Sequence, residues 1–472
     1  MHVLFATAEI EPLVATGGLG AASAGLVGGL RRQGVLVTPV IPGYESWALT
    51  DEQVIPLDAP AWVGGAVARV GVVDGLGDVA VIDSPSLRRP HPYVDPETGS
   101  GWRDNDHRFF AWSAAVAALA VRLQPDVVHV NDWHAATVLA HLPESTPTVL
   151  SIHNLAHQGW GDAGWADALG RRGGRFRWMG SVNALAGAIS MADRVVTVSP
   201  NYAAEIRTER CGMGLDGLLS SRGSDLVGIL NGIDTGDWDP ARDPALVAPY
   251  DAGTVAGKSD NQAALCGELG LDAGPGPLVV SVSRFDYQKG IDLIAEVSHL
   301  LVGVPVRLAL LGSGDRDTEE TMARVADMHR GRIAFRQGYD AALAHRMFAA
   351  GDLAIIPSRF EPCGLTQMQA MRYGTLPIVS DVGGLRDTVI DADSSSRAGT
   401  GIVMGEVSGA GIVDGVHRGA RLVTNKARAA RVRARAMGSD WSWDEPAKRY
   451  ASLYDGLVPT SEPVVEKAVE KP

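Results

Sequence analysis

His2-Val3-Leu4-Phe5-Ala6-Thr7-Ala8, then Gly17-Gly18-Leu19-Gly20, then Val35-Leu36-Val37-Thr38-Pro39-Val40-Ile41 decide the fold. The first and third stretches are apolar runs of strand length without polar alternation, the pattern of strands buried on both faces. Between them a glycine loop opens an Ala/Gly/Leu-rich segment that reads as a helix to about Arg32. Strand, glycine loop, helix, strand is the βαβ unit of a parallel sheet. The helix is its weakest member, because an interior glycine costs about 1 kcal/mol.

The same grammar continues down the chain. A helix is predicted over Asp106 to Leu123, after short strands and turns in 49–83. Pro125 to Val130 is a strand that ends in Asn131-Asp132-Trp133-His134. Thr148 to Ile152 ends in His153-Asn154, and Arg194 to Val198 ends in Ser199-Pro200. Asp237 to Gly276 is loop-rich, with Pro240, Pro244, Pro249 and Pro275, and reads as a linker. A second series follows: Leu278 to Val282, Val306 to Leu311, Ile333 to Phe335, Leu353 to Ile356 and Leu376 to Ser380, then a basic helix over roughly Asn425 to Ala436. The expected fold class is α/β, with two doubly wound domains facing across a cleft. The boundaries are 1–240, 241–440, a C-terminal helix at 441–456 returning to the N-terminal domain, and a flexible polar tail at 457–472.

Composition bounds the function. At 472 residues the chain is too long for one ordinary core. A net charge of -13 argues against a non-specific nucleic-acid binder, while leaving room for a few cations around an anionic small molecule. Cys211, Cys266 and Cys363 form neither a disulfide framework nor a metal knuckle. Without a leader-like start or a long apolar span, a cytoplasmic protein with no membrane partner is expected. A homo-oligomer is compatible with the sequence.

Polar residues at the carboxyl ends of parallel strands sit where open α/β sheets bind ligands. Gly17 and Gly18 can bring backbone amides close to an anion, or simply make a tight turn. Arg284 and Lys289, in Ser283-Arg284-Phe285-Asp286-Tyr287-Gln288-Lys289-Gly290, follow a strand. They suit a diphosphate, as fork and mobile point charge, or are two solvated surface cations. Glu361 in Pro357 to Thr366 can accept from sugar hydroxyls or cap a helix, and Gly364, Leu365 and Thr366 can offer amides to phosphate. His153 can donate to a sugar hydroxyl; Asn154, Asp132 and His134 lie beside it in this reading. No HxH or HExxH spacing supports a metal, and none is expected. His129, inside its strand, reads as structural, and Asp387 as a cap or surface charge.

Taken jointly, Asn131-Asp132-Trp133-His134, Ile152-His153-Asn154-Leu155 with Gln158-Gly159, Val198-Ser199-Pro200, Gly228 to Asp234, Ser283-Arg284 with Gln288-Lys289-Gly290, and Ser358 to Gln367 are specific. With them the sequence resembles the bacterial glycogen synthase and plant starch synthase family from about His2 to Tyr454. The resemblance implies the GT-B architecture and a metal-independent, retaining transfer of glucose from ADP-glucose to an α-1,4-glucan. It implies no cofactor, only a nucleotide-sugar cosubstrate and a carbohydrate acceptor. It makes Arg284 and Lys289 the diphosphate pair, Glu361 the donor-sugar contact and His153 a contact near the reacting sugar. Asp132, Asn154, Cys363 and Gly364 then shape the pocket, with Cys363 in packing or turn work rather than as a nucleophile. Tyr339 takes a base-contact position, and Gly17, Gly18, Leu365 and Thr366 surround phosphate.

The family carries Lys-x-Gly-Gly-Leu near its start and an acidic residue soon after. Here those positions are Ala15 and Ala21. The departure motivates a second expectation: a pseudo-glycosyltransferase joining a nucleotide-activated sugar or cyclitol to a non-glucan acceptor such as an amine, with C–N bond formation. A third, a non-enzymatic carbohydrate-binding protein, is opposed by the retained Arg284, Lys289, Glu361 and His153.

Overall fold

The computed structural model describes residues 1–274 and 276–458; nearly all of the expected tail lies outside the described residues. The N-terminal sheet has nine strands. In spatial order Leu226–Gly228, Arg194–Thr197, Thr148–Ile152, Val127–Asn131, His2–Ala6, Leu36–Pro42 and Gly77–Asp83 run parallel. An antiparallel meander of Ala66–Val73 and Thr50–Leu57 extends the far edge. The second sheet has six parallel strands: Ile333–Gln337, Arg307–Gly312, Leu278–Val282, Leu353–Ile356, Leu376–Val379 and Ile402–Val403.

Each sheet reverses its winding at its first strand. His2–Ala6 pairs with the next strand in sequence, Leu36–Pro42, on one side and with Val127–Asn131 on the other. Leu278–Val282 likewise lies between Arg307–Gly312 and Leu353–Ile356. The crevice beyond such a reversal is where doubly wound sheets bind ligands. In this chain it is bordered by Glu9 and Asn131-Asp132 in one domain and by Ser283-Arg284 and Pro357-Ser358 in the other.

The glycine-rich helix, Gly18–Arg32, is explained by what it touches. A Cβ at Gly25 would lie 1.9 Å from Trp443 Nε1, and one at Gly29 2.9 Å from Ala447 Cβ. The helix Asp444–Asp455 therefore packs directly on the N-terminal domain. Its Tyr454 hydroxyl meets His129 Nδ1 at 2.7 Å, His129 Nε2 meets Ser151 Oγ at 2.8 Å, and the Tyr450 hydroxyl meets Ser151 Oγ at 3.3 Å. Helix propensity alone predicts that Gly25→Ala stabilises by about 1 kcal/mol. The collision with buried Trp443 reverses the sign. We expect a net loss of about 2 kcal/mol, read as a fall of several degrees in Tm.

The expected linker is shorter than the sequence indicates. Within it, the helix Gly257–Leu269 packs against Ala341–Ala350 as part of the second domain. It buries Lys258, whose Nζ donates to the carbonyls of Phe348, Ala349 and Tyr373 at 3.2, 2.8 and 2.9 Å. Polar residues on its inner face hide the helical period. The two chain crossings between the domains touch where Ile233 N donates to Trp441 O at 2.8 Å. No helix among the described residues is long and apolar enough to cross a membrane.

Candidate active site

On the N-terminal wall the site grows from strand ends. Asp132 turns the chain sharply, with φ +54, straight after strand Val127–Asn131. Its Oδ1 accepts from the backbone amides of His153 at 2.7 Å and Asn154 at 3.3 Å. Burial pushes the Asp132 carboxyl up to about 7, against those amides, which favour the charged form. Burial also pushes the His153 imidazole down to about 4, so it is neutral at physiological pH. His153 Nε2 lies 2.9 Å from Asn131 Oδ1.

Glu9, which the sequence reading passed over, organises the glycine loop. Its carboxylate accepts from Thr16 N at 2.6 Å, Thr16 Oγ1 at 2.9 Å, Gly17 N at 3.1 Å and the Tyr93 hydroxyl at 2.6 Å. The Gly17 amide, expected near a phosphate, donates in this structure to the protein's own carboxylate. Gly18 faces the other domain: a Cβ on it would sit 3.7 Å from Leu365 Cδ1. Glu9 stands at the end of the first strand, so the strand-end rule that found Asp132 and His153 was also the signal for it.

On the C-terminal wall Lys289 Nζ donates to Glu361 Oε2 at 2.5 Å, and Ser358 Oγ donates to the same oxygen at 3.0 Å. Glu361 is only 5% exposed and accepts from these two side chains, while the following helix Thr366–Arg372 has no side-chain cap, so Glu361 is not the helix cap that the sequence allowed. The tight turn at Gly290, φ +68, lays that backbone on Pro357 O, where a Cβ would come within 2.3 Å. Asp286 Oδ1 accepts from Lys289 N at 3.0 Å. Arg284 is half exposed and pairs with Asp286 at 3.2 Å. Lys289, Ser281, Ser283, Ser358 and Thr366 line a small cavity under this wall. Gly364, φ +72, makes the turn into the helix Thr366–Arg372. Tyr339 projects into solvent just beyond strand Ile333–Gln337, 92% exposed.

The walls meet. Asn154 Nδ2 donates to Gln288 Oε1 at 3.2 Å, which brings His153 and Lys289, each next in sequence to one of the pair, to the same opening. Ser199 Oγ donates to Pro362 O at 2.7 Å. Asp387, expected as a cap or surface charge, accepts from Asn201 N of the opposite domain at 2.8 Å and so caps that domain's helix. Cys363, expected to shape the pocket through packing or a turn, has its side chain in an apolar cluster. It is buried with Val198, Ile233 and Met368, and Leu365 packs on the same apolar cluster. Burial pushes the Cys363 thiol up to about 12, which fits packing and not nucleophilic work. Among the described residues no group of three or more His, Cys, Asp and Glu is placed to hold a metal ion.

Residues 2–221 match the family described as starch synthase catalytic domain, and residues 271–431 the glycosyl transferases group 1 family. A glycogen synthase of Acidiphilium cryptum is 41% identical, over 97% of this chain and 99% of that one. Glycogen synthase 1 of Rhizobium meliloti is 40% identical over the same shares. This chain belongs to the glycogen and starch synthase family. Among solved structures, the catalytic domain of starch synthase IV from Arabidopsis thaliana, bound to ADP and acarbose, superposes with a TM-score of 0.87 at 31% identity, covering 97% of this chain and 99% of that one. Like other members of the glycogen and starch synthase family, the protein is a glycosyltransferase with two Rossmann-like domains in the GT-B arrangement, as the sequence resemblance implied. Ala15, one of the two positions where the sequence reading expected a charged residue, lies in the loop that Glu9 organises, and the other, Ala21, lies in the first turn of the helix Gly18–Arg32. There Ala15 packs closely on Gly20, where a Cβ would fall 2.8 Å from Ala15 Cβ.

Proposed function

We propose that this enzyme transfers glucose from ADP-glucose to the end of an α-1,4-glucan with retention at the anomeric carbon. The observation that carries the reading is the pairing of Lys289 with Glu361 on one wall, opposite neutral His153 on the other. Lys289 and Arg284 take the diphosphate and stabilise the charge that grows on it as the glycosidic bond breaks. Glu361 and His153 hold the donor sugar by its hydroxyls. No buried carboxylate or thiol is needed as a nucleophile: the acceptor hydroxyl attacks from the side of the leaving phosphate, and a phosphate oxygen takes its proton. The protein supplies orientation and exclusion of water.

Full-length likeness to glycogen synthases favours a glucan acceptor over the amine acceptor that Ala15 and Ala21 suggested. A panel of nucleotide sugars with maltooligosaccharide tests this directly. Expected is transfer from ADP-glucose that lengthens the oligosaccharide; turnover confined to an amine acceptor, or no nucleotide-sugar binding, would overturn it. In calorimetry Arg284→Ala is expected to weaken donor binding by roughly 10- to 100-fold, the worth of a charged hydrogen bond. Unchanged affinity would remove Arg284 from the site.

A further inference from the structure

Which nitrogen of His153 carries the proton follows from the atoms behind it. Ala6 O is a carbonyl and only accepts, so Asn131 turns its Nδ2 toward it, 3.0 Å away. Asn131 Oδ1, which also only accepts, is thereby left 2.9 Å from His153 Nε2. Nε2 must donate. A neutral imidazole has one N–H, so Nδ1 is a bare acceptor. Nothing here charges the ring: Asp132 spends its Oδ1 on the backbone amides of His153 and Asn154, and burial disfavours imidazolium. Asn131 is fully buried, while His153 is only partly so and Nδ1 has no hydrogen-bond partner among the described residues.

We infer that Asn131 is a positioning residue that locks His153 in the Nε2–H tautomer, so that His153 meets the donor sugar as an acceptor, through Nδ1, and selects for a hydroxyl that donates there. This rests on the nucleotide-sugar reading for the identity of the ligand, but not for the tautomer. It reverses the expectation that His153 donates. The consequence is a specificity rule: at the sugar position facing Nδ1 a group must carry a hydrogen to give, and one that can only accept leaves Nδ1 unpaired.

The test has separable arms. Nitrogen-15 spectra of histidine-labelled wild-type protein, assigned with His153→Ala, are expected to show Nε2 protonated and Nδ1 bare; a protonated Nδ1 overturns the inference. Deoxy and deoxyfluoro ADP-glucose analogues are then assayed position by position. At one position both are expected to lose about tenfold in kcat/KM, the worth of one hydrogen bond, because fluorine cannot donate. In His153→Ala that penalty is expected to vanish. A fluoro analogue that restores full activity at every position sensitive to deoxygenation overturns the acceptor role. Asn131→Ala is expected to mix the tautomers in the spectrum; a single unchanged tautomer in a folded variant removes Asn131 from the role. If ADP-glucose itself is not turned over, the transferase reading fails, and the histidine spectrum still decides the tautomer.

Discussion

Lys289→Ala is expected to lower kcat/KM by about a thousandfold or more and to destabilise the protein by about 2 kcal/mol. The two losses have different origins. In the structure Lys289 Nζ lies 2.5 Å from Glu361 Oε2, with side-chain exposures of 17% and 6%. Removing the ammonium strands a buried carboxylate whose remaining side-chain donor is Ser358 Oγ. A fully buried broken pair costs about 3–5 kcal/mol; Lys289 opens on the cleft, where water can partly replace it, and we discount accordingly. The catalytic loss comes from the charge that grows on the leaving diphosphate, a contact stronger in the transition state than before it. The double variant Lys289→Ala/Glu361→Gln separates these effects. It removes both charges, so denaturant unfolding should return to within about 1 kcal/mol of wild type, whereas kcat/KM should stay as low as in the single variant or lower. Recovery of activity in the double variant would mean that the pair is structural and that Lys289 does not reach the donor.

Much of this arrangement is readable without coordinates, and the reason is topological. Strands such as Thr148–Ile152 and Leu353–Ile356 are buried on both faces, so they appear as largely apolar runs without polar alternation, followed by clusters of polar residues. Those residues, Asp132, His153, Arg284 and Glu361, are therefore visible in the sequence. What escapes is whatever depends on partners distant in sequence. Glu9 is defined by Tyr93, 84 residues away, and by a loop that folds back onto it. Gln288 matters because Asn154, 134 residues away, bonds to it across the cleft. Cys363 sits in a motif that suggests a pocket, yet its side chain faces the apolar seam between the domains. The helix Gly257–Leu269 reads as linker because Lys258 and Asn261 share its buried face with Leu265 and Cys266 and break up the apolar stripe. The glycines at 25 and 29 look like weak helix until Trp443 and Ala447 are placed over them.

Asp132→Asn is expected to make the protein more stable above neutral pH and less active there, with both differences fading toward acid pH. Asp132 is buried, and burial pushes its carboxyl up to about 7 from an ordinary value of 3.8. A carboxyl whose folded pKa is raised binds its proton more tightly when folded. It carries no penalty below the unfolded pKa; stability is lost as pH rises from about 4 and levels off above about 7. The shift corresponds to roughly 4 kcal/mol at the alkaline end, an upper figure because local opening admits water. Asn cannot ionise, so it escapes the penalty, and it tolerates the left-handed backbone at φ +54 better than most residues. Its Oδ1 can still accept from His153 N, so the fold of the turn is kept. Thermal unfolding across pH 4 to 8 should show the variant and wild type converging at the acid end and the variant ahead by several degrees at the alkaline end. A constant difference at every pH would assign the gain to backbone preference alone. At and above about pH 7, where the wild-type carboxyl is ionised, it adds negative charge to the wall that carries His153, favouring the positive charge that develops as the donor bond breaks; there we expect a loss of about 10- to 100-fold in kcat with KM little changed, shrinking as pH falls. A variant that gains stability and keeps wild-type kcat would show that Asp132 shapes the turn and contributes nothing to the transition state.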